Sequence, residues 1–171
     1  MINLDYVTVH MSNQAEAIRQ LALGVTAEQA RWKPDPKSWS ILEVINHLYD
    51  EERQDFRFRL DLILHHPQQT WPGNDPEGWV TERHYNQRDF ETSLHNFIQE
   101  RQTSVTWLKR LSAPNWQNVH DHPSIGPISA EEMLYSWLAH DLLHTRQLVE
   151  LQWAYLAQQA RPIALDYAGG W

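Results

Sequence analysis

The sequence predicts an all-α fold, a four-helix bundle with long irregular connections, in one domain spanning residues 1–171. Two observations carry that prediction. Four stretches space their apolar residues as helices do, and Ser or Thr followed three residues on by Glu or Gln, the capping-box pattern, stands at Thr26/Gln29, Ser40/Glu43 and Ser129/Glu132. No strand-like alternation competes and no internal repeat is evident, so helices packing on helices is the architecture left.

The first helix is predicted from Leu4 to Leu23, with Gly24 suited to the position just past its C-terminus. In "TAEQARWKPDPK" the capping pattern is cut short by Pro34 and Pro36, which allow at most a short helical turn, so this is a connection. Ser40 then opens a second helix in which Ile41, Val44, Ile45, Leu48, Phe56, Leu60 and Ile63 recur at helical intervals until Pro67. The stretch "PQQTWPGNDPEGW" is rich in Pro, Gly and Asn and reads as the longest loop, followed by a short helical piece through "VTERHYN". Asp89 is a fair N-cap for a third helix carrying Phe90, Leu94, Phe97, Ile98, Val105, Leu108 and Leu111. After "SAPNWQNVHDHPSIGP", Ser129 starts a fourth, with Met133, Leu134, Trp137, Leu138, Leu148 and Leu151, that runs to about Gln159.

Composition narrows the function. With 42% hydrophobic and 21% charged residues the chain belongs with ordered globular domains. No run approaches a membrane span, and "MINLDYVTVHMSNQ" lacks a basic region followed by an apolar one, so a cytoplasmic location without membrane partners is expected. The formal charge of -8, with no cluster of Lys and Arg, argues against nucleic acid as a partner. Cysteine is absent, so a metal would have to use His, Asp or Glu. Ten histidines call for explanation, because imidazole is the commonest protein metal ligand.

Within "WLAHDLLHTRQL", His140 and His144 are four residues apart and fall on the stripe of Trp137, Leu148 and Leu151, so both can reach one ion inside the bundle. The pair alone is weak, since random placement of this many histidines gives about half of one such pair. His47 sits on the inward side of the second helix beside Val44, with Glu43 and Glu51 one turn away on either side. A lone histidine there is more often structural. Three inward imidazoles on two helices are costly to bury unpaired, and a shared cation would satisfy them.

The segments "WSILEVINHL" and "HDLLHTRQL", in this order and at this separation, resemble the DinB/YfiT-like superfamily of four-helix bundle proteins over roughly residues 10–152. Trp39, Ser40, His47 and Leu48 match its first motif, and His140, His144 and Gln147 its second. The resemblance implies a divalent metal, nickel or zinc, held by His47, His140 and His144, and a homodimer. It also implies an enzyme acting on a small-molecule substrate. Thiol-dependent S-transfer with a low-molecular-weight thiol as cosubstrate is the favoured reading, metal-dependent hydrolysis the alternative, and a non-enzymatic stress-related protein with a structural metal the third. Three imidazoles with an open position suit either chemistry, because a cation acidifies water and thiol alike. Glu43, Glu51 and Asp141 could orient an imidazole or take a proton, but no catalytic role is assigned to them.

Competing motifs are weaker. "HDLLH" differs from the zincin HExxH in having Asp141 where a longer Glu is needed, and no suitable third ligand follows. His120 and His122 in "VHDHPSIG" form a loop HxH of the sort common without function, and His65 and His66 are explained by the C-terminal end of the second helix. Trp107, Trp137 and Trp153 read as packing residues, whereas Trp71, Trp79 and Trp116 lie near loops where they could pack or line a pocket. The tail "DYAGGW" reads as too short to pack, with Trp171 disordered or engaged by a partner chain.

Overall fold

The computed structural model describes residues 2–170. The four predicted long helices are present: α1 (Leu4–Ala22), a second formed by α3 (Ile41–Glu51) and α4 (Arg57–His65), then α6 (Phe90–Arg110) and α7 (Ala130–Gln159). Between them lie the short helices α2 (Ala27–Arg31) and α5 (Pro76–Glu82) and an antiparallel hairpin of β1 (Val119–His122) and β2 (Gly126–Ser129). Trp171 lies outside the described residues. No helix among the described residues is long and apolar enough to cross a membrane.

The caps act where the sequence places them. Ser40 Oγ accepts from the Glu43 N–H at 3.1 Å while Glu43 Oε2 accepts from the Ser40 N–H at 2.8 Å, and Ser129 and Glu132 repeat this at α7. Asp75, with Pro76 at the first helical position, starts α5.

Two expectations need correcting. Val119–His122 pairs with Gly126–Ser129, so one connection contains strands that the apolar pattern did not reveal; the hairpin is short, and its turn relies on Gly126 at φ +79°. The second long helix is also not uniform: Glu52–Phe56 is a π-helical turn in which the Arg57 N–H reaches the Glu52 carbonyl five residues back.

Packing is not in chain order. α1 packs on α6 and α7, and the α3–α4 helix packs on the same two, so the first and second long helices stand diagonally opposed. Their connection crosses the bundle, and the second and fourth helices become neighbours. Two apolar clusters fill the interior, one around Met11, Leu60, Leu108 and Trp137 and the other around Ile18, Ile45, Phe97 and Leu148. On each of the last three helices the chain passes from one cluster to the other through inward polar residues: Glu52, Arg101, and His140, Asp141 and His144.

Candidate metal centre

Arg101 organises this polar layer. It is 2% exposed, donates to both Glu52 carboxylate oxygens at 2.7 Å, to both Asp141 oxygens at 2.6 and 2.8 Å, and to the Met11 carbonyl at 3.0 Å. The Trp137 indole adds a bond to Glu52 Oε2 at 3.0 Å. Buried charges are tolerated when every donor and acceptor is met, and this cluster draws on all four long helices. Asp141 is thus bound to Arg101 and Glu43 to the cap and to Lys33, at 2.8 Å. Neither orients an imidazole.

Next to this cluster the three histidines meet. His140 Nε2 lies 3.3 Å from His47 Nε2 and 3.1 Å from His144 Nε2, and the three nitrogens fall within 4.8 Å of one another. Burial is the main force holding all three imidazoles neutral, reinforced at His47 by His144 and at His140 by both others; it brings His47 down to about 3. His144 Nδ1 donates to Gln147 Oε1 at 2.8 Å, which leaves its Nε2 as a lone pair. The Pro76 carbonyl faces His47 as a hydrogen-bond acceptor and favours its protonated form, although the contact at Nδ1 falls outside ordinary hydrogen-bond geometry.

Proton counting tests the fit to a cation. His140 Nε2 has one in-plane position and can offer a proton to one neighbour only, so the convergence of three such nitrogens is not satisfied by hydrogen bonds among them. Tetrahedral bonds of about 2.0–2.1 Å would set imidazole nitrogens about 3.3 Å apart, close to the two spacings His140 makes, with all three ligand atoms inside 4.8 Å. The donor set and its spacing both fit.

Aromatic rings wall the cluster. Trp39 lies parallel to the His144 ring, 6.2 Å between centroids, and 4.8 Å from His47; Phe56 lies 4.9 Å from His140 and stacks on Trp137. The sequence marked Trp39 only as part of a motif and Phe56 only as core. A cleft of about 560 Å³ opens at His144, with Trp39, Lys37, Gln147 and Glu150 in its lining.

The remaining candidates lie elsewhere. His120 Nε2 is 2.6 Å from the Gln69 carbonyl and His122 accepts from the Ser124 N–H at 3.1 Å; their rings flank Trp71 and join no metal-ligand group among the described residues. His65 bonds Asp61 at 2.8 Å. Glu51 is different: it is 5% exposed, its Oε1 has no partner, and burial, reinforced by Asp55, pushes its carboxyl up to about 8.

A family model described as the DinB superfamily matches residues 10–148. No curated protein matches the chain. Among solved structures, YfiT from Bacillus subtilis, described as "a probable metal-dependent hydrolase with an unusual four-helix bundle topology", superposes with a TM-score of 0.76 at 20% identity over 88% of each chain.

Proposed function

This chain belongs to the DinB superfamily, and on that premise we propose that it is a metal-dependent hydrolase of a small molecule, with His47, His140 and His144 as the ligands of a divalent cation. The observation that carries the reading is the convergence of three neutral imidazoles, with His140 Nε2 3.3 Å from His47 Nε2 and 3.1 Å from His144 Nε2 and all three ligand atoms within 4.8 Å, beside an open cleft. The description of YfiT supports the reaction class. Bound there, nickel or zinc would supply the Lewis acidity that polarises a carbonyl and acidifies water or a thiol.

The chain's own groups do the rest. Gln147 fixes the His144 ring and its tautomer. Trp39 and Phe56 keep bulk water from the imidazoles on two sides, and the Arg101 cluster holds α6 and α7 in register behind them. Residues 1–171 act as one domain in this reading, because both apolar clusters draw on the same four helices. The exposed face of α7 carrying Tyr135, Leu142 and Leu143 is the surface for a homodimer, and sedimentation of the protein as a monomer at tens of micromolar would remove that part of the proposal.

Thiol-dependent transfer is the second reading. The cleft beside His144 favours it, since Lys37 and Glu150 set opposite charges in its lining, as a thiol bearing both a carboxylate and an ammonium would require. Metal-loaded protein assayed on a panel of esters and amides, with and without low-molecular-weight thiols, separates the two. Thiol-independent turnover supports hydrolysis, turnover only with thiol replaces it with transfer, and stoichiometric metal with no turnover leaves the metal a structural part.

A further inference from the structure

The connection between α2 and α3 runs back along α7. At one end Trp32 meets Tyr155 edge-on, 5.4 Å between ring centroids, and at the other Trp39 lies parallel to His144 at 6.2 Å. The cleft of about 560 Å³ lies between these two segments, because every residue of its lining belongs to one or the other. On α7 it extends from His144 to Ala154, about 15 Å of helix. Its ends differ. Trp39 and His144, the one imidazole of the centre that lines the cleft, close the end at the metal site, whereas Pro34, Leu151 and Ala154 make the other end apolar. Lys37, Gln147 and Glu150 stand between them.

The middle of the cleft presents one unmatched charge. Glu150 is held to Arg146 at 3.4 Å, and Lys33, in the same connection, to Glu43 at 2.8 Å; Lys37 closes no ion pair among the described residues. Asp35 acts on Lys37 electrostatically, but its carboxylate already accepts from the Lys37 and Ser38 N–H groups, at 2.8 and 3.1 Å, and from the Ser38 hydroxyl. That turn, set between Pro34 and Pro36, fixes the backbone from which Lys37 extends.

We propose that this cleft is the substrate groove and Lys37 its specificity residue. The occupant sets a carboxylate on Lys37, its reacting carbonyl toward His144, and an apolar group against Pro34, Leu151 and Ala154. Acyl carbonyl, carboxylate, apolar side chain is the order found in an N-acyl derivative of an apolar amino acid. The acyl group is short, because Trp39 and His144 close that end. Sharing its charge with Arg146 leaves Glu150 less to offer a ligand's ammonium. The volume is that of a small-molecule site. In the reaction the oxygen of a water bonds to the acyl carbon, the C–N bond breaks, and both water protons end on the nitrogen, leaving a carboxylate and a free amino acid. The inference rests on the hydrolase reading for this reaction, though not for binding.

The test is therefore made first without metal, so that no carboxylate can bind the cation. N-acetyl-leucine, the uncharged N-acetyl-leucinamide, the cationic leucinamide, and N-acetylglycine, which lacks the apolar end, are titrated into the metal-free full chain. Binding is followed by calorimetry and by the Trp39 indole N–H resonance, in the wild type, in Lys37→Gln and in Lys109→Gln. Lys109 lies on α6 outside the cleft, so its variant controls for net charge. N-acetyl-leucine is expected to bind best, about three- to fivefold tighter than its amide, as one exposed ion pair implies. It should move the Trp39 signal, and its advantage over the amide should vanish in Lys37→Gln alone. Equal binding of acid and amide, a preference that survives Lys37→Gln, or equal binding of N-acetylglycine overturns the proposal. So does an unmoved Trp39 signal, no binding at all, or tighter binding of leucinamide, which would give the groove to Glu150 and an ammonium. A groove that passes these tests while zinc-loaded protein leaves N-acetyl-leucine intact would stand, and the hydrolase reading would fall. Release of acetate from N-acetyl-leucine and its amide with equal kcat/KM, unaffected by Lys37→Gln, would do the reverse.

Discussion

At the scale of single residues, the centre depends on atoms whose neighbours leave them open. The three Nε2 atoms have more lone pairs than protons to share, so hydrogen bonds among them do not satisfy all three. His47→Ala, His140→Ala and His144→Ala are each expected to lose stoichiometric nickel or zinc by elemental analysis after dialysis, while His120→Ala retains it. Glu51 makes a second residue-scale prediction. Its folded carboxyl is raised from the ordinary 4.5 to about 8, so between those values the native state holds a proton that the unfolded state has released. Stability contributed by this group is full below the lower value and is lost as pH rises through the upper one. Urea midpoints of metal-free wild type and Glu51→Gln should therefore diverge from pH 5 to pH 8, the wild type losing ground. Parallel curves would show that Glu51 is ionised in the fold. That carboxyl was legible in the sequence only as a helix-flanking Glu, because its burial is supplied by the chain around it.

At the scale of elements, caps were readable and the helix interior was not. Ser40, Ser129 and Asp75 hold their helices through side-chain oxygens three residues from the N–H groups they serve, a purely local geometry. Ser40→Ala is expected to cost about 1 kcal/mol and lower the melting temperature by about 2–4 °C. The Ser40 hydroxyl also donates to Asn86 Oδ1 at 2.8 Å, so the loss should exceed that of Thr26→Ala, whose cap is exposed. The π-turn is a contrasting case. In a continuous α-helix residue 56 would lie about 180° around the axis from residue 47. The wider turn at Glu52–Phe56 delays that rotation and lets Phe56 contact His140 while His47 faces the same centre. Its apolar spacing still looked helical, so periodicity could not reveal it. The hairpin escaped for a related reason: four residues per strand, with only Ile128 and His120 buried, are too few to show a period of two.

For the whole molecule, Arg101 is the residue that joins the four long helices, through Met11, Glu52 and Asp141. Arg101→Met would leave two buried carboxylates facing each other and is expected to cost about 3–5 kcal/mol in urea unfolding. A loss below about 1 kcal/mol would mean that water reaches the layer. Nothing in the local pattern pointed to this cluster, because Arg101 on the third helix reads as an ordinary polar position until the partners are known. The sequence by itself determined the helical class, the ends of the long helices and the identity of His47, His140 and His144 as inward residues, since caps and spacing are local properties. Only the tertiary structure decided that the second helix lies against the fourth, that His140 Nε2 stands 3.3 Å from His47 Nε2 and 3.1 Å from His144 Nε2, and that the Arg59 guanidinium lies over the Trp71 ring. Those contacts include one between residues 93 positions apart, and they are fixed by how helix faces and connections pack rather than by any neighbouring residue.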